Sequence, residues 1–395
     1  MTKVAYVVPR YGLEVLGGAE YGARMLAERL VSQLGYEVEV LTTCALDAGT
    51  WRDEYAPGEV DINGVRVRRF ASAAGRDPGF EPFSRTVLAQ PAAADQATSE
   101  RWIEFQGPVC PDVVEAARES DADLVVFYPY LYYPTVHGVL AVGPRAVMHP
   151  AAHDEPPLRL PIFRDVFAAT QAFVFQTYGE RRLAESLFPI GDRAQIVMGL
   201  GVEEGAGEHA DFGLGDRPYL LCLGRVDDGK GAGMLARYFA EYKARRPGPL
   251  ALVFAGPVVN RPPPHPDIVV AGPVDEGVKW GALRTCAALV NPSYFEAFSI
   301  VLMEAWTAGV PVLVNGHCNA TREHCERSGG GLWFEGFADF EAAVDRLTAD
   351  AATRQGLAEA GSAYVEANFR WPVIIERYGR FLTAAASRAH AAADK

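Results

Sequence analysis

The sequence predicts an α/β protein made of two facing Rossmann-like domains, because two series of alternating apolar strands and helices follow one another along the chain. The first series opens with the unbroken apolar run 4–8, which is typical of a strand buried on both faces of a parallel sheet. The second opens at 219–223, after the stretch 201–218, which is rich in Gly, Glu and Asp, lacks an apolar period and is predicted to be an interdomain linker. A length of 395 residues also exceeds what a single ordinary core requires.

The first series continues with a helix, since apolar side chains recur at helical spacing from Ala19 to Leu34 and Gly35 follows as a helix stop. Apolar runs bounded by turn residues predict its further strands at 38–42, 65–70, 123–128, 145–148, 172–175 and 194–197. The segment 72–100 has a loose pattern that predicts neither helix nor strand.

The second series gives strands at 219–223, 250–255, 268–271, 288–291, 312–314 and 331–334. We therefore predict an N-terminal domain at 1–208 and a C-terminal domain at 209–372. Ligands of such sheets bind at the carboxyl ends of strands, so the cleft between the domains is the expected site.

Composition excludes several classes of protein. A net charge of −13 is unfavourable for nucleic-acid binding, which depends on Lys and Arg. The N-terminus lacks the long apolar core of a signal peptide, and the six cysteines form no C-x-x-C motif, which indicates reduced thiols in a cytoplasmic protein. The segment 124–144 has no charged residue, but Pro129, Pro134 and Pro144 favour a strand, a turn and a short helix over a membrane span.

Two glycine-containing loops are candidate phosphate sites. The first, Leu16-Gly17-Gly18-Ala19-Glu20, precedes the first helix, where backbone N–H groups can approach an anion; an ordinary turn is the alternative. The second follows the strand 219–223 and runs from Gly224 to Gly231. In this loop, Arg225 can contact two phosphate oxygens, and Lys230 can supply a positive point charge to a phosphate. The loop 224–231 also nearly matches a P-loop, but Gly231 stands where a P-loop has its metal-binding hydroxyl. The alternative is a solvated charged turn without a ligand.

The most informative motif carries two carboxylates, Glu296 and Glu304. Glu296 precedes a helix predicted from about Phe298 to Ala308, and Glu304 lies about five residues into it, roughly 7–8 Å below its start. The helix N-terminus favours an anion, so the pair could grip hydroxyls at two ends of a diphosphate ligand. The apolar surroundings of Glu304 predict that it is buried and needs a partner. The alternative is a helix-dipole acid with Glu304 on a solvated face.

Histidines supply the remaining candidates. His149 and His153 follow the strand 145–148 and could contact a sugar hydroxyl, although a structural role is equally compatible with either. His317, Cys318, His324 and Cys325 could mimic a zinc set, but their spacing matches none of the usual ones, so no metal site is predicted.

Gly17-Gly18-Ala19-Glu20, Gly224-Arg225 with Lys230-Gly231, and Glu296 spaced eight from Glu304 together resemble the retaining glycosyltransferase family 4 of the GT-B fold. The resemblance covers nearly the whole chain. It implies that the helix after Asn368-Phe369-Arg370-Trp371, residues 373–395, crosses back to the N-terminal acceptor-side domain. The sequence departs from the family pattern at Ala297 and Ser299, where the family usually has Gly. It also has Leu200-Gly201-Val202 where the family usually has Asn-Gly-Val.

The resemblance also implies roles for individual residues. Arg225 and Lys230 would hold the donor diphosphate, Glu296 the donor sugar and Glu304 the ribose, with His153 the preferred histidine beside the sugar. The other implied substrate contacts are Gly17, Gly18, His149, Val274, Ala297, Phe298 and Ser299.

The expected reaction transfers a sugar from a nucleoside-diphosphate-sugar to an acceptor hydroxyl without metal or bound cofactor, in polysaccharide, glycolipid or natural-product glycoside biosynthesis. The acceptor would be a sugar, a lipid-linked sugar or a small molecule, and a lipid-linked one would bring peripheral contact with the inner face of the membrane. The alternatives are a non-catalytic nucleotide-sugar binding protein, and an epimerase or phosphorylase of the same fold.

Overall fold

The computed structural model describes residues 2–15, 17–207 and 209–393. Leu16 of the first glycine motif, Glu208 at the predicted domain boundary and residues 394–395 therefore lie outside the described residues. The chain divides into two compact units, Leu200–Ile374 forming one, and Met1–Gly199 together with Ile375–Lys395 forming the other.

The first unit is built around an eight-stranded sheet. Its strands are β1 (Lys3–Val8), β2 (Glu37–Thr43), β3 (Gly58–Ile62), β4 (Val65–Phe70), β5 (Leu124–Phe127), β6 (Ala146–Met148), β7 (Ala172–Phe175) and β8 (Ala194–Val197). Its helices are α1 (Gly18–Leu34), α2 (Phe80–Leu88), α3 (Gln96–Gln106), α4 (Pro111–Glu119), α5 (Tyr133–Val142), α6 (Ile162–Ala169) and α7 (Tyr178–Leu187). Short 3-10 turns occupy Pro91–Ala93, Gly143–Arg145 and Pro156–Arg159.

The strand order is β3-β4-β2-β1-β5-β6-β7-β8, and the pairing is parallel from β4 to β8. Val4 lies opposite Val38 on one side and Leu124 on the other, so the buried run of β1 forms the centre of the sheet. The chain order reverses between β1 and β5. Loops that leave β1 and β5 therefore meet at the carboxyl edge, where α/β sheets bind ligands.

Several elements of this unit, among them β3, α2 and α3, were not predicted individually from the sequence. β3 pairs antiparallel with β4 at the sheet edge, and Gly58–Asp61 are exposed, so this strand carries no apolar signal. α2 lies in the segment 72–100 with the loose pattern and α3 begins there, and the two helices pack through Phe80 and Trp102, whose ring centroids are 5.4 Å apart. The Asp95 carboxylate accepts a hydrogen bond from the Thr98 amide and caps α3, which was the one local signal available.

The second unit contains a six-stranded sheet of parallel strands in the order β11-β10-β9-β12-β13-β14. These strands are β9 (Tyr219–Leu223), β10 (Ala251–Ala255), β11 (Ile268–Gly272), β12 (Ala288–Asn291), β13 (Val312–Asn315) and β14 (Gly331–Phe334). The helices are α8 (Ala232–Arg245), α9 (Glu276–Thr285), α10 (Ile300–Thr307), α11 (Asn319–Ser328), α12 (Phe337–Ala349) and α13 (Ala351–Asn368). This is the doubly wound order, whose topological switch point lies between β9 and β12.

The stretch 201–218, predicted as an interdomain linker, packs against α9 over part of its length. Arg284 of α9 donates a hydrogen bond from Nη2 to the Gly205 carbonyl oxygen at 2.7 Å and a second to the Glu204 carboxylate at 2.8 Å. A Cβ at Gly205 would lie 2.0 Å from Trp280 Nε1, so the backbone passes directly over that indole. This stretch is thus fixed to the second unit despite its loop composition.

The last helix, α14 (Trp371–Ala393), brings the chain back to the first unit. The Tyr378 hydroxyl is 2.7 Å from the Tyr6 hydroxyl of β1 and 2.9 Å from His149 Nε2. Tyr36 donates a hydrogen bond to the Gly379 carbonyl oxygen at 2.9 Å. Each of these contacts joins α14 to the first unit, so the predicted return of the C-terminal helix is present.

The uncharged segment 124–144 forms β5, a turn and α5, as its prolines predicted. Among the helices that the structure describes, none has both the length and the apolar stretch that a membrane span requires.

Candidate functional site

The central feature of the second unit is an ion pair at its topological switch point. Lys230, in the loop after β9, and Glu296, in the loop after β12, approach to 2.9 Å between Nζ and Oε1. Because β9 and β12 are neighbouring parallel strands, their carboxyl-end loops meet at one edge of the sheet. The Lys230 side chain is 36% exposed, so its ammonium is held by Glu296 yet remains accessible to a ligand.

The loop after β9 owes its shape to Asp227 and Gly231. The buried Asp227 carboxylate accepts a hydrogen bond from the Lys230 amide at 2.7 Å and contacts Nε of Arg225. Burial alone would raise the pKa of Asp227, but the contact with Arg225 and the Lys230 amide lower it overall. Gly231 has φ +77°, and a Cβ there would lie 2.5 Å from the Pro292 carbonyl oxygen. This close approach brings the start of α8 against the loop that carries Glu296.

Arg225 extends from the same loop with a 60% exposed side chain. Asp227 contacts its guanidinium at Nε, and no other residue that the structure describes hydrogen-bonds to it, so the remaining four N–H groups can reach a ligand. Asp227 therefore acts on the loop itself, because it orients Arg225 and fixes the backbone before Lys230.

The loop after β12 carries the two positions where this chain departs from the family pattern. Ser299 has φ +69° and ψ +79°, a left-handed conformation that glycine adopts without strain. This explains why glycine is usual at that position, and it starts α10 at Ile300 rather than at the predicted Phe298. Ala297 is half-buried beside Glu296. The Phe298 side chain is buried against His324 and Phe369, so only its backbone could contact a ligand.

Glu304 is largely but not fully buried, and its partner is Lys279. Lys279 Nζ lies 2.7 Å from Glu304 Oε1, and the two side chains are 18% and 12% exposed. Burial would lower the pKa of Lys279, but Glu304 and the neighbouring Glu276 reverse this and raise it. The sequence did not predict Lys279 as the partner of Glu304, because α9 and α10 come together only in the folded protein. The one sequence hint was its position between the apolar residues Val278 and Trp280.

Val274 lies directly ahead of α9, in the turn after β11. Gly272 in this turn has φ +77°, and the Asp275 carboxylate caps α9 by accepting a hydrogen bond from the Val278 amide at 2.8 Å. Val274 is half-buried and precedes Lys279 by about one turn of helix. The second unit thus gathers Arg225, Lys230, Glu296 and Ser299 around the switch point, with Glu304 and Lys279 on the adjoining helices.

In the first unit, Gly17 and Gly18 open α1 beside a buried ion pair. Arg10 Nε and Nη2 donate hydrogen bonds to one oxygen of Glu20, at 3.0 and 2.5 Å. A Cβ at Gly17 would lie 2.2 Å from Glu20 Oε2, whereas one at Gly18 would meet no described atom within 4 Å. Gly17 is therefore required by packing and Gly18 leaves the helix N-terminus open. Arg10 was missed because its partner is ten residues away across the motif.

His149 belongs to the core of the first unit and not to its surface. Its ring is 1% exposed, stacks on Tyr128 and contacts the Tyr378 hydroxyl. Burial lowers the pKa of His149 to about 3, so the ring is neutral. The candidate substrate contact at His149 is therefore corrected to a structural role in docking α14.

His153 lies in a more open environment. Its side chain is 30% exposed, and Nε2 is 3.3 Å from Oε2 of Glu155. The backbone before it is fixed by the buried Glu180, which accepts hydrogen bonds from the Ala152 amide at 2.8 Å and the Gln176 amide at 2.6 Å. Ala151 has φ +51°, so this loop holds a strained conformation. Of the two histidines, the geometry leaves only His153 accessible.

The histidines and cysteines near α11 have other partners. The buried His324 contacts the Tyr364 hydroxyl through Nδ1 at 3.1 Å, and His317 Nε2 is 3.2 Å from the Glu335 carbonyl oxygen. No group of three potential metal ligands is found among the residues that the structure describes.

Comparison with known proteins agrees with this arrangement. Residues 217–350, which contain Arg225, Lys230, Glu296 and Glu304, match the family model described as glycosyl transferases group 1. Two D-inositol 3-phosphate glycosyltransferases are similar to the chain. That of Frankia alni is 27% identical over 319 residues, covering 72% of this chain and 74% of its own, and that of Acidothermus cellulolyticus is 26% identical over 414 residues, covering 96% and 88%. The chain is a GT-B glycosyltransferase.

Solved structures show the same fold across the whole length. Sucrose-phosphate synthase from Thermosynechococcus elongatus superposes with a TM-score of 0.70 at 16% identity, covering 98% of this glycosyltransferase and 100% of its own chain. A trehalose-6-phosphate protein from E. coli bound to UDP-2-fluoro glucose gives a TM-score of 0.70 at 12% identity, covering 98% and 99%. An Anabaena protein in complex with UDP and glucose gives 0.67 at 14% identity, covering 97% and 100%.

Proposed function

We propose that this glycosyltransferase is a retaining enzyme of family 4 that moves a sugar from a nucleoside-diphosphate-sugar to an acceptor hydroxyl. The observation that carries the proposal is the Lys230–Glu296 pair at the switch point between β9 and β12, with Arg225 exposed in the same loop. A ligand that carries both a diphosphate and hydroxyl groups would use the cations and the carboxylate of this site together.

The site suits a reaction whose barrier is the build-up of charge on a leaving diphosphate. The bond from the anomeric carbon to the phosphate oxygen breaks, and a bond from that carbon to the acceptor oxygen forms on the same face. The acceptor proton passes to an oxygen of the departing diphosphate. Arg225 and Lys230 would stabilise the negative charge as it develops, so neither a metal ion nor a bound cofactor is required.

The hydroxyl groups of the donor are assigned to the acidic side chains. Glu296, accepting from Lys230, would bind hydroxyls of the donor sugar, and Glu304, held by Lys279, those of the ribose. Val274 would contact the base, and backbone groups of Ala297, Phe298 and Ser299 the diphosphate. From the first unit, Gly17 and Gly18 would offer the start of α1, and His153 would lie beside the transferred sugar.

The acceptor is proposed from the relatives. Those similar in sequence are named for inositol 3-phosphate, and two solved neighbours are named for sugar phosphates. Among the predicted acceptors we therefore favour a small phosphorylated sugar or polyol over a lipid-linked one. We also propose that the enzyme acts in the cytoplasm.

The test is a transfer assay with UDP-, GDP- and ADP-glucose and phosphorylated acceptors, read by NMR of the anomeric proton, with and without a chelator. We expect an α-linked product from an α-linked donor, unchanged by chelation, and a loss of at least about 100-fold in Arg225→Ala, since this removes a charge placed for the transition state. Arg245→Ala, on the exposed far end of α8, is the matched control and should retain activity.

Other outcomes separate the alternatives. Donor binding without turnover in the presence of every acceptor would support a non-catalytic binding protein. A changed sugar without acceptor would indicate an epimerase, release of a sugar phosphate a phosphorylase, and chelator-sensitive hydrolysis of a nucleoside triphosphate a P-loop enzyme. A β-linked product from an α-linked donor would contradict retention.

A further inference from the structure

Ser299 has a hydroxyl whose hydrogen-bonding roles the structure determines. The Asn291 side chain accepts a hydrogen bond from the Ser293 amide through Oδ1 at 3.0 Å. A backbone N–H can only donate, so the orientation of the Asn291 amide is fixed. Its Nδ2 therefore faces Ser299, and it donates to Ser299 Oγ at 2.9 Å.

It follows that the Ser299 oxygen is an acceptor towards Asn291 and that its own proton points elsewhere. The residue is only 8% exposed, yet no described residue accepts that proton in a hydrogen bond. A buried hydroxyl donor without an acceptor is unfavourable, so such a group indicates a missing partner. The bond received from Asn291 also polarises the hydroxyl and makes it a stronger donor.

The position of Ser299 identifies the chemistry of that partner. It directly precedes α10, whose N-terminus carries partial positive charge, and it lies three residues after Glu296 in the loop that meets Lys230. A donor in a positive environment prefers an anionic oxygen. The left-handed backbone at Ser299 carries strain that a glycine would avoid, so the serine side chain here adds a hydroxyl at a strained position.

We infer that the Ser299 hydroxyl donates a hydrogen bond to a phosphate oxygen of the donor diphosphate, a contact that the glycine usual at this position cannot make. The inference rests on the proposed function, since it names a further residue of the same site. Asn291 is then a positioning residue that turns the hydroxyl proton towards the ligand.

Two substitutions separate the hydroxyl from the backbone strain. Ser299→Ala removes the hydroxyl and keeps the strained backbone, whereas Ser299→Gly removes both. Calorimetric titration with UDP, GDP or ADP, whichever the wild type binds, should show at least about ten-fold weaker binding in both variants, because each loses a hydrogen bond to a charged group. Transfer by both variants should fall similarly in kcat/KM, although the glycine variant is no less stable than the wild type.

Thr307→Ala is the matched control at the other end of α10, where the hydroxyl donates to the Met303 carbonyl oxygen, and it should bind the nucleotide normally. Wild-type affinity and activity in Ser299→Gly would overturn the inference and leave the proposed function intact. Absence of nucleotide binding by the wild type itself would instead overturn the proposed function.

Discussion

At the scale of single residues, the half-buried pair of Lys279 and Glu304 shows how an isolated acid in the sequence gains a defined partner in the fold. Glu304 is surrounded by apolar neighbours on α10, so a carboxylate there requires a cation. Lys279 meets that requirement at Oε1, and Oε2 accepts no hydrogen bond from the described residues. The lysine therefore leaves one oxygen of Glu304 free for the ribose hydroxyls of the proposed donor.

We predict that Lys279→Met raises the dissociation constant of the donor about ten-fold or more while changing kcat less, because Glu304 would lose the cation that positions it. Leaving this half-buried carboxylate unpaired should also destabilise the fold by about 1 kcal/mol or more. Donor titration and thermal unfolding measure the two effects.

Lys279→Arg preserves the charge and should recover most of the affinity. Glu276→Gln is the control, since that carboxylate is 79% exposed and its loss leaves the Lys279–Glu304 contact in place. Equal loss of affinity in Glu276→Gln and Lys279→Met would show that Glu304 is not the group through which Lys279 acts.

At the scale of elements, Gly231 joins the loop after β9 to the loop after β12. Its φ of +77° strains any other residue, and a Cβ would lie too close to the Pro292 carbonyl oxygen. We predict that Gly231→Ala separates the two loops, lowers stability by about 1–3 kcal/mol and reduces transfer by at least an order of magnitude. Urea unfolding and the transfer assay measure these effects.

Gly356→Ala is the matched control because it makes the same chemical change inside α13, where a Cβ meets no described atom within 4 Å. Alanine is favoured over glycine in a helix, so this variant should be as stable as the wild type or more so. A Gly231→Ala variant that resembled it would show that the close approach to Pro292 does not determine the loop.

Elements with a buried apolar pattern could be predicted from the sequence, and others could not. All strands of the second sheet were predicted within one or two residues, because each is an apolar run ended by turn residues. β3 was missed because an exposed edge strand has no such run, and α2 and α3 because their pattern is short and interrupted. α10 begins at Ile300 instead of the predicted Phe298, because the left-handed backbone of Ser299 could not be predicted from the sequence.

The candidate site divides in the same way. Residues that follow a strand or open a helix, such as Arg225, Lys230 and Glu296, could be selected by position in the sequence. Lys279 and Arg10 could not, since their roles depend on a partner brought close by folding. For His149, the sequence gives its place after β6 but not the return of α14, whose Tyr378 completes its burial.

At the scale of the whole molecule, three buried titratable groups determine how stability should depend on pH near neutrality. Burial lowers the pKa of His149 to about 3, and burial with the charge of Arg327 does the same for His324. Burial raises the pKa of Glu180 to about 7, against the opposing effects of backbone hydrogen bonds from Gln176, Ala152 and Thr177 and of the charge of His153. The histidines and the glutamate therefore act with opposite sign.

The sign of each effect on stability depends on whether the pKa of the group in the folded protein lies above or below its pKa in the unfolded chain. The neutral histidines favour the folded state above pH 6.5, and this stability is lost as the pH falls towards 3. The protonated Glu180 favours the folded state below pH 4.5, and this stability is lost as the pH rises through about 7. Between pH 5 and 6.5 the two fully buried histidines oppose one glutamate, and His137, whose pKa burial also lowers, acts in the same direction as the histidines, so stability should rise with pH.

We predict that the free energy of unfolding is about 1–2 kcal/mol larger at pH 6.5 than at pH 5 in the wild type. His149→Gln should nearly abolish this difference, since one histidine then balances Glu180, and Glu180→Gln should increase it to about 3 kcal/mol. Urea unfolding at the two pH values measures this difference in the free energy of unfolding. Comparing the two pH values within each variant removes the part of the destabilisation that does not depend on pH. If both variants shifted the pH dependence in the same direction, His149 and Glu180 could not be buried as a neutral imidazole and a protonated carboxyl group, whatever their separate effects on stability.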